Sequence, residues 1–261
     1  MSWYKHMYTK KFINYVGFKS TEKTILEVDF IISTLNLPAR SKLLDLCCGY
    51  GRHSCLIAQK TDWKVTGLDL SADYIKIAKD NYSTLSNEYL LGDMRELNFD
   101  NQFDAVINMF TSFGFFKEDS ENEKVLEAVN KSLKMDGKFL LDYENKFHFV
   151  YNDVYSKERT WEKIEDTKYI LFENQYDVIN EREIFKASIY KNGKQVDSFG
   201  YNIRLYSFPE IKALLNRNGF DVIDIWGDYR SHPYTVKSKR VILLAKKIKG
   251  KINEKNNHII F

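Results

Sequence analysis

The sequence has few cysteines and few prolines. The spacing of its cysteines argues against a small protein stabilised by disulfides and against one stabilised by zinc. The three cysteines, Cys47, Cys48 and Cys55, lie within nine residues of one another. This clustering fits neither a disulfide framework nor a spaced zinc site. We therefore expect small, buried packing residues at these positions, and no metal.

Long apolar runs and an excess of charge of one sign are also missing. No stretch approaches the roughly 18 consecutive apolar residues of a membrane-spanning helix, and the N-terminus lacks the apolar core of a signal peptide. Lys and Arg total 39 against 36 Asp and Glu, a net charge of +3, which is not the strongly basic surface typical of nucleic-acid-binding proteins. We expect a cytoplasmic protein with a small-molecule partner and no membrane partner, and we do not favour a nucleic acid.

What the sequence does contain is a regular alternation of short apolar runs and helical stretches between residues 42 and 143. This pattern predicts an α/β fold with a doubly wound, mostly parallel, seven-stranded Rossmann-like sheet. Polar and apolar residues then alternate, which predicts an inserted antiparallel β meander that also offers a surface for a homodimer. The predicted domains are an N-terminal helical lid (1–40), a core (41–144 and 207–247), the inserted sheet (145–206) and a basic flexible tail (248–261).

One segment combines a strand, a glycine turn with Gly49 and Gly51, and the start of a helix. Glycines let the backbone approach a ligand, and the helix start presents free amides to it. Asp69 follows twenty residues after Gly49, at the end of the next strand, where its carboxylate can accept both hydroxyls of a ribose. Asp93 and Met94 follow the third strand and suit an adenine. The three strand ends predict a nucleotide site along one sheet edge.

The turn departs from the dinucleotide-binding fingerprint. G-x-G-x-x-G uses its third glycine for close helix packing, and this chain has Ser54 there. A nicotinamide-dependent oxidoreductase therefore fits the strand pattern but not the turn.

The segments DLCCGYGRHS, VTGLDLS, GDMREL and FDAVINMFTSFGFF together resemble the successive motifs of class I S-adenosylmethionine-dependent methyltransferases. The resemblance covers nearly the whole chain and is greatest to bacterial small-molecule enzymes with an antiparallel insertion. It implies S-adenosylmethionine as the cofactor and methyl transfer to a small molecule at oxygen or nitrogen. Cys47 replaces the first glycine of the family's turn, and we expect the turn to survive with shifted dihedral angles.

The resemblance also implies which residues bind the cofactor, with an N-terminal aromatic residue as part of the lid. These residues are Tyr15, Asp45, Cys47, Gly49, Gly51, Asp69, Leu70, Asp93, Met94, Asn108 and Met109.

The substrate side is predicted from the loops that follow the fourth strand and the penultimate strand. Its candidates are Phe110, Phe113, Phe115, Tyr229 and Arg230, and their aromatic bias suggests an apolar or aromatic acceptor. His232 is the preferred catalytic base, although methyl transfer from a sulfonium needs no base in principle. Related sugar N-methyltransferases carry a histidine where this chain has Phe115, which counts against a sugar amine.

Three alternatives remain at this point: an RNA methyltransferase, a protein or peptide methyltransferase, and a non-catalytic S-adenosylmethionine-binding protein. The loop after the fourth strand has neither a basic stripe nor an Asn-Pro-Pro-Tyr-like sequence for base flipping. Fold alone does not separate an enzyme from a binding protein.

Overall fold

A computed structural model describes residues 3–151 and 158–248 of the chain. The strands are β1 (Lys42–Leu46), β2 (Lys64–Asp69), β3 (Asn87–Leu91), β4 (Phe103–Asn108), β5 (Leu133–Glu144), β6 (Glu158–Glu165), β7 (Lys168–Asp177), β8 (Arg182–Lys191), β9 (Lys194–Arg204), β10 (Phe220–Trp226) and β11 (Arg240–Lys247). The helices are α1 (Tyr4–Met7), α2 (Lys10–Val16), α3 (Thr21–Leu35), α4 (Arg52–Lys60), α5 (Ala72–Asn81), α6 (Asp119–Ser132), α7 (Lys146–Tyr151) and α8 (Phe208–Arg217).

Seven strands form the central sheet in the order β10-β11-β5-β4-β1-β2-β3. β1 pairs in parallel with β2 and with β4, whereas β11 runs antiparallel to β5 and β10. The predicted doubly wound, mostly parallel sheet is therefore confirmed.

Helices cover both faces of this sheet, which explains why β1 is apolar at successive positions. Leu43 and Leu44 point to opposite faces, and both are fully buried. Leu43 packs in a cluster with Val28 and Ile31 of α3, and Leu44 packs in a second cluster with Val125 of α6. A strand buried on both sides has no solvent-facing positions for polar residues.

The chain leaves β1 toward β2 on one side, whereas β4 lies on the other side of β1. The loops after β1 and β4 therefore diverge and leave a crevice at the carboxyl ends of the strands. Such a switch point is where open α/β sheets bind their ligands.

A second, four-stranded sheet has the order β6-β7-β8-β9, and each neighbouring pair is antiparallel. The turn between β8 and β9 uses Asn192 (φ +51°) and Gly193 (φ +74°), because two successive left-handed residues match the twist of a tight hairpin. The predicted meander is confirmed. Its outer surface carries Trp161, 56% exposed, and Tyr169, 39% exposed; a homodimer through this sheet stays a prediction.

The N-terminal helices divide between the core and the crevice. Val28, Ile31 and Leu35 of α3 are completely buried against the central sheet. By contrast, Trp3 and Tyr8, which flank α1, lie with ring centroids 4.8 Å and 5.9 Å from that of Phe115. Phe12 and Ile13 of α2 also line the crevice, so α1 and α2 are placed to cover it, and their function as a lid stays a prediction.

One feature differs from the pattern read in the sequence: the short helix α7 lies within residues 145–206, which were predicted to form a sheet. Helix α8 begins next to residue 207, where the core was predicted to resume, and Ser207 and Glu210 form a reciprocal capping box there. The predicted tail lies outside the described residues except for Ile248. Among the described residues, no helix has both the length and the apolar character needed to cross a membrane.

Candidate active site

The glycine turn after β1 forms one wall of the crevice. Cys47, Gly49 and Gly51 have φ values of +61°, +59° and +87°, so the chain turns sharply and α4 can begin at Arg52. Cys47 occupies the left-handed region that ordinarily favours glycine. The turn survives the cysteine, as expected.

Gly51 is required for a second reason, which is space. A Cβ atom at this position would lie 2.5 Å from Tyr89 Oη. That hydroxyl lies within hydrogen-bond distance of two carbonyl oxygens, at 2.9 Å from Tyr82 O and 3.2 Å from Gly51 O, so the tyrosine is held in place. The turn therefore packs directly on β3.

Asp69 at the end of β2 is bound to this turn. Its Oδ2 accepts from the amide of Gly49 at 2.9 Å, and its Oδ1 accepts from the amide of Ser71 at 2.8 Å. Burial in the crevice nevertheless raises the pKa of Asp69 to about 6, since desolvation outweighs the two hydrogen bonds. Each oxygen retains acceptor capacity for a ligand hydroxyl.

Asp45 lies deeper, beneath the turn. Ser54 Oγ donates to Asp45 Oδ2 at 2.6 Å, which ties the end of β1 to the first turn of α4. Burial raises the pKa of this carboxyl. Ser54 thus has a structural function in the position where a dinucleotide fold carries glycine.

A buried carboxylate that the sequence reading missed holds the start of α4. Glu27 of α3 is 5% exposed and contacts both the Arg52 guanidinium and His53 Nε2, the latter at 2.8 Å. Burial acts to raise the pKa of Glu27, but His53 and Arg52 outweigh it, and the pKa lies below its usual range. Arg52 lines the crevice, so α3 positions a cation there.

At the end of β3, Asp93 and Met94 both line the crevice. The Asp93 carboxylate makes a bidentate pair with Arg95, with Nη2 to Oδ2 at 2.6 Å and Nε to Oδ1 at 3.0 Å. Met94 Sδ lies 3.5 Å from Cys47 Sγ, which joins the first and third strand ends.

A buried ion pair fixes the conformation of the loop after β4. Phe110 and Thr111 have φ values of +64° and +62°, and both amides donate to Asp142, to its Oδ2 at 2.8 Å and its carbonyl at 2.9 Å respectively. Asp142 also pairs with the Arg240 guanidinium and accepts from the Tyr229 hydroxyl. Strained backbone of this kind persists only where its surroundings fix it.

Three cationic side chains lie close to the aromatic ring of Phe110. Lys19 Nζ lies 4.8 Å from its ring centroid, and the guanidinium carbons of Arg52 and Arg240 lie at 5.2 Å and 5.1 Å. Burial and the neighbouring Arg52 lower the pKa of Lys19. Lys19 forms no salt bridge with any of the described residues, so this end of the crevice suits an anionic group.

The inserted sheet provides the opposite wall. Glu183 of β8 is 2% exposed, and its Oε1 accepts from the Tyr201 hydroxyl of β9 at 2.7 Å. Its Oε2 is buried without a hydrogen-bond partner in the described structure. Burial, and secondly the nearby Glu144, raise the pKa of Glu183 to about 8. Sequence reasoning missed this residue, because in an alternating strand a glutamate reads as solvent-facing.

The two walls enclose one cavity of about 440 Å³. We name its sides the turn wall (Cys47, Gly49 and Asp69) and the sheet wall (Glu183, Phe185 and Tyr201). Tyr8 lines the cavity together with residues of both walls, and burial, followed by the nearby Tyr74, Asp69, Cys47 and Glu183, raises its pKa. In residues 3–151 and 158–248, no group of three or more His, Cys, Asp or Glu side chains is arranged to hold a metal ion.

The structure brings most of the predicted residues to this cavity. The predicted residues that line it are Asp45, Cys47, Gly49, Asp69, Leu70, Asp93, Met94, Met109, Phe110 and Phe115. Gly51 does not line the cavity, but its lack of a side chain lets the turn pack against Tyr89.

The other predicted residues lie outside the lining, each with a partner of its own. Asn108 Nδ2 donates to the carbonyl of Leu46 at 3.0 Å, Phe113 packs against Tyr206 with ring centroids 5.5 Å apart, and Tyr15 packs against Phe199 at 5.6 Å. Tyr229 is bound to Asp142, as described above. Each of these residues therefore packs behind the residues that line the cavity.

The catalytic candidate His232 also lies away from the cavity. It is exposed, and its Nδ1 lies 2.7 Å from Asp228 Oδ2, with the exposed Arg230 on the same loop. An isolated bridge between Trp226 and Pro233 closes this loop and keeps it on the surface. Catalysis by His232 stays a prediction, and no contact in the structure supports it.

The parallel sheet, the glycine turn and the carboxylates at successive strand ends define a nucleotide-binding α/β protein. Residues 43–137 match the family model described as "Methyltransferase domain". The putative methyltransferase YqeM of Bacillus subtilis (strain 168) is 29% identical over 222 residues, which cover 82% of this chain and 87% of that protein.

Solved structures share the fold. An S-adenosylmethionine-dependent methyltransferase from Clostridium acetobutylicum ATCC 824 matches with a TM-score of 0.73 at 22% identity, covering 85% of this chain and 91% of the other. The sugar N-methyltransferase KedS8 from Streptoalloteichus sp ATCC 53650 matches with a TM-score of 0.69 at 16% identity, covering 92% of each chain. Residues 43–137 therefore form a methyltransferase domain, the chain as a whole has the fold of the S-adenosylmethionine-dependent methyltransferases, and S-adenosylmethionine is its cofactor.

Proposed function

We propose that this methyltransferase acts on a small molecule, at a nitrogen or oxygen atom, and that it binds donor and acceptor on opposite walls of one cavity. The observation that carries this proposal is the enclosure of that cavity between the turn wall and the sheet wall. Its volume of about 440 Å³ falls in the range of small-molecule sites, which run from about 300 to 1,000 Å³.

The turn wall has the chemistry that S-adenosylmethionine requires. The Asp69 carboxylate can accept the two ribose hydroxyls, and buried Met94 offers an apolar surface to the adenine. Lys19 and Arg52 supply positive charge for the methionine carboxylate at the other end of the donor. These three features match the diol, the base and the anionic end of one molecule.

The sheet wall suits a compact acceptor with an apolar surface. Phe185 and Tyr201 stack with ring centroids 4.9 Å apart, and Phe115 lines the cavity beside them. Of the residues predicted on the substrate side, Phe110 and Phe115 are the two that could contact the acceptor. That KedS8, a relative in fold, is by its name a sugar N-methyltransferase supports an acceptor of small size.

The chain's own contribution to the reaction is alignment and exclusion of water. The bound cofactor supplies a methyl group that is already activated on a sulfonium. The turn wall fixes the donor, the sheet wall fixes the acceptor, and α1 with Trp3 and Tyr8 covers the gap between them. Holding two reactants in line accounts for a large share of the rate of a bimolecular displacement.

Calorimetric titration with S-adenosylmethionine and, separately, NADH tests the donor half of this proposal, on the wild type and on Asp69→Ala. We expect micromolar binding of S-adenosylmethionine that weakens in the variant, and no binding of NADH. A cofactor carrying a labelled methyl group is then incubated with a cell extract divided by ultrafiltration. Label in the small-molecule fraction supports the proposal, whereas label confined to RNA or protein would overturn it.

A further inference from the structure

The Glu183 side chain is a buried carboxyl group of the sheet wall that the cofactor chemistry leaves unexplained. It is 2% exposed, it lines the cavity, and its Oε2 has no hydrogen-bond partner in the described structure. A carboxylate oxygen that has lost its water and gained no donor is costly to maintain. Such an atom is explained if a bound ligand supplies the donor.

The surroundings of Glu183 specify the charge of that ligand. A second carboxylate, Glu144 at the end of β5, lines the same cavity and lies close enough to disfavour ionisation of Glu183. Hydrogen bonds from Tyr201 and Asn174 and the charge of Arg240 lower the pKa of Glu183, but burial and Glu144 outweigh them. Glu183 forms no salt bridge among the described residues, and the contact of Glu144 with Arg240 Nη1 is long, at 3.8 Å. Two carboxylates with so little compensation attract a cation.

Aromatic rings complete the surroundings. Tyr8, Phe115 and Tyr201 line the same cavity as Glu183, and the ring centroids of Tyr8 and Phe115 are 5.9 Å apart in a stacked arrangement. The faces of such rings attract ammonium groups. Carboxylates and aromatic faces together recognise a protonated amine better than a neutral hydroxyl.

We propose that the methyl acceptor is an amine, that Glu183 in its ionised form binds it as an ammonium group, and that Glu183 Oε2 takes a proton from it before methyl transfer. The positive charge of the arriving ammonium group favours this ionised form, and the proton that Glu183 holds in the free protein leaves to solvent. This inference rests on the proposed function and names the acceptor class for the same cavity. Loss of one proton to Glu183 frees the nitrogen lone pair. The carbon–nitrogen bond then forms as the carbon–sulfur bond breaks, the product leaves as a methylated ammonium, and Glu183 returns its proton to solvent.

Sinefungin tests the proposal without knowledge of the acceptor. In this analogue, a carbon atom bearing an amino group replaces the methylated sulfur, so it presents an ammonium group where the methyl group would meet the acceptor nitrogen. S-adenosylhomocysteine has no charge there and is the matched reference. The measurement is the ratio of the two dissociation constants, by calorimetry on the full chain.

We expect wild-type protein to bind sinefungin at least tenfold more tightly than S-adenosylhomocysteine, and Glu183→Gln to lose most of that preference. Glu144→Gln should lower it by a smaller factor and provides a second reading if Glu183→Gln does not fold. Glu173→Gln is the control, because Glu173 of β7 is buried but pairs with Arg159 and does not line the cavity. It should keep the wild-type ratio.

The outcomes separate the two proposals. If wild-type protein binds S-adenosylhomocysteine but shows no preference for sinefungin, or if Glu183→Gln keeps the full preference, the amine proposal is overturned and the proposed function stands. If wild-type protein binds neither compound, the proposed function itself fails.

Discussion

The amide nitrogen of Gly49 donates a hydrogen bond to Asp69 Oδ2 over 2.9 Å, so the turn after β1 and the carboxylate at the end of β2 form one unit. The bond fixes the orientation of the carboxylate before any ligand arrives. A preorganised carboxylate loses little side-chain entropy when it accepts the ribose hydroxyls.

The raised pKa of Asp69 predicts that cofactor affinity depends on pH. The pKa is about 6 in the free protein, and the ionised form is the better acceptor for two hydroxyls. Affinity for S-adenosylmethionine should therefore be constant above that pKa and fall by up to about tenfold per pH unit below it. Calorimetry across this range should show the fall in wild type and a weak, flat profile in Asp69→Asn; an equal slope in both would assign the titration to another group.

Replacement of Gly51 by alanine should cost more stability than an equivalent change elsewhere. The new Cβ would meet Tyr89 Oη at 2.5 Å in addition to the strain of a φ of +87°. We expect a loss of about 2–4 kcal/mol in the free energy of unfolding, from backbone strain and overpacking together.

Gly193→Ala provides the control for that measurement. Gly193 has a similar φ of +74°, but nothing lies within 4 Å of its added Cβ. Its cost should be about 1 kcal/mol, the backbone contribution alone. Equal losses in urea unfolding of both variants would show that the contact with Tyr89 is unimportant.

The turn and Asp69 could be predicted from the sequence because both depend on local order. A strand, a glycine turn and a helix are contiguous, and parallel strands bring successive strand ends to one edge. Glu27 and Glu183 could not be predicted in this way. Each becomes buried only through packing between segments distant in the chain, and on an amphipathic helix or an alternating strand a glutamate is typical of the solvated face.

The choice of His232 as the base illustrates the same limit. A histidine titrates near neutral pH without help from its surroundings, so it attracts attention in a sequence. A glutamate acquires a comparable pKa only through burial, which the alternation of residues around Glu183 did not reveal. The structure places the histidine on an exposed loop and the glutamate in the cavity.

Loss of the Glu27 carboxylate should destabilise the start of α4. Glu27→Gln removes the charge that compensates Arg52 and His53, and removal of one partner from a buried pair costs about 3–5 kcal/mol. Because the pKa of Glu27 is lowered in the folded state, its contribution is present above its unfolded pKa and is lost as pH falls through the folded pKa.

Thermal or urea unfolding of Glu27→Gln near neutral pH and in acid tests this expectation. Glu22→Gln, in the exposed first turn of the same helix, should change stability by no more than about 0.5 kcal/mol. The difference between the two variants should shrink in acid, where Glu27 is protonated in both the folded and the unfolded state. A difference independent of pH would mean that the shape of the side chain matters, not its charge.

The raised pKa of Glu183 predicts that its contribution to stability depends on pH in the direction opposite to that of Glu27. The pKa of Glu183 is raised to about 8 in the folded protein, so between its usual value and about 8 the folded state binds the extra proton. Stability should therefore fall as pH rises through that interval, by at most about 1.4 kcal/mol per pH unit, and level off above it. Glu183→Gln cannot ionise and should lack this slope, so its stability relative to wild type should increase with pH, whereas Glu173→Gln should keep the wild-type slope. Parallel profiles for wild type and Glu183→Gln would show that the carboxyl group keeps an ordinary pKa, and that the folded protein stabilises its charge despite the unpartnered Oε2.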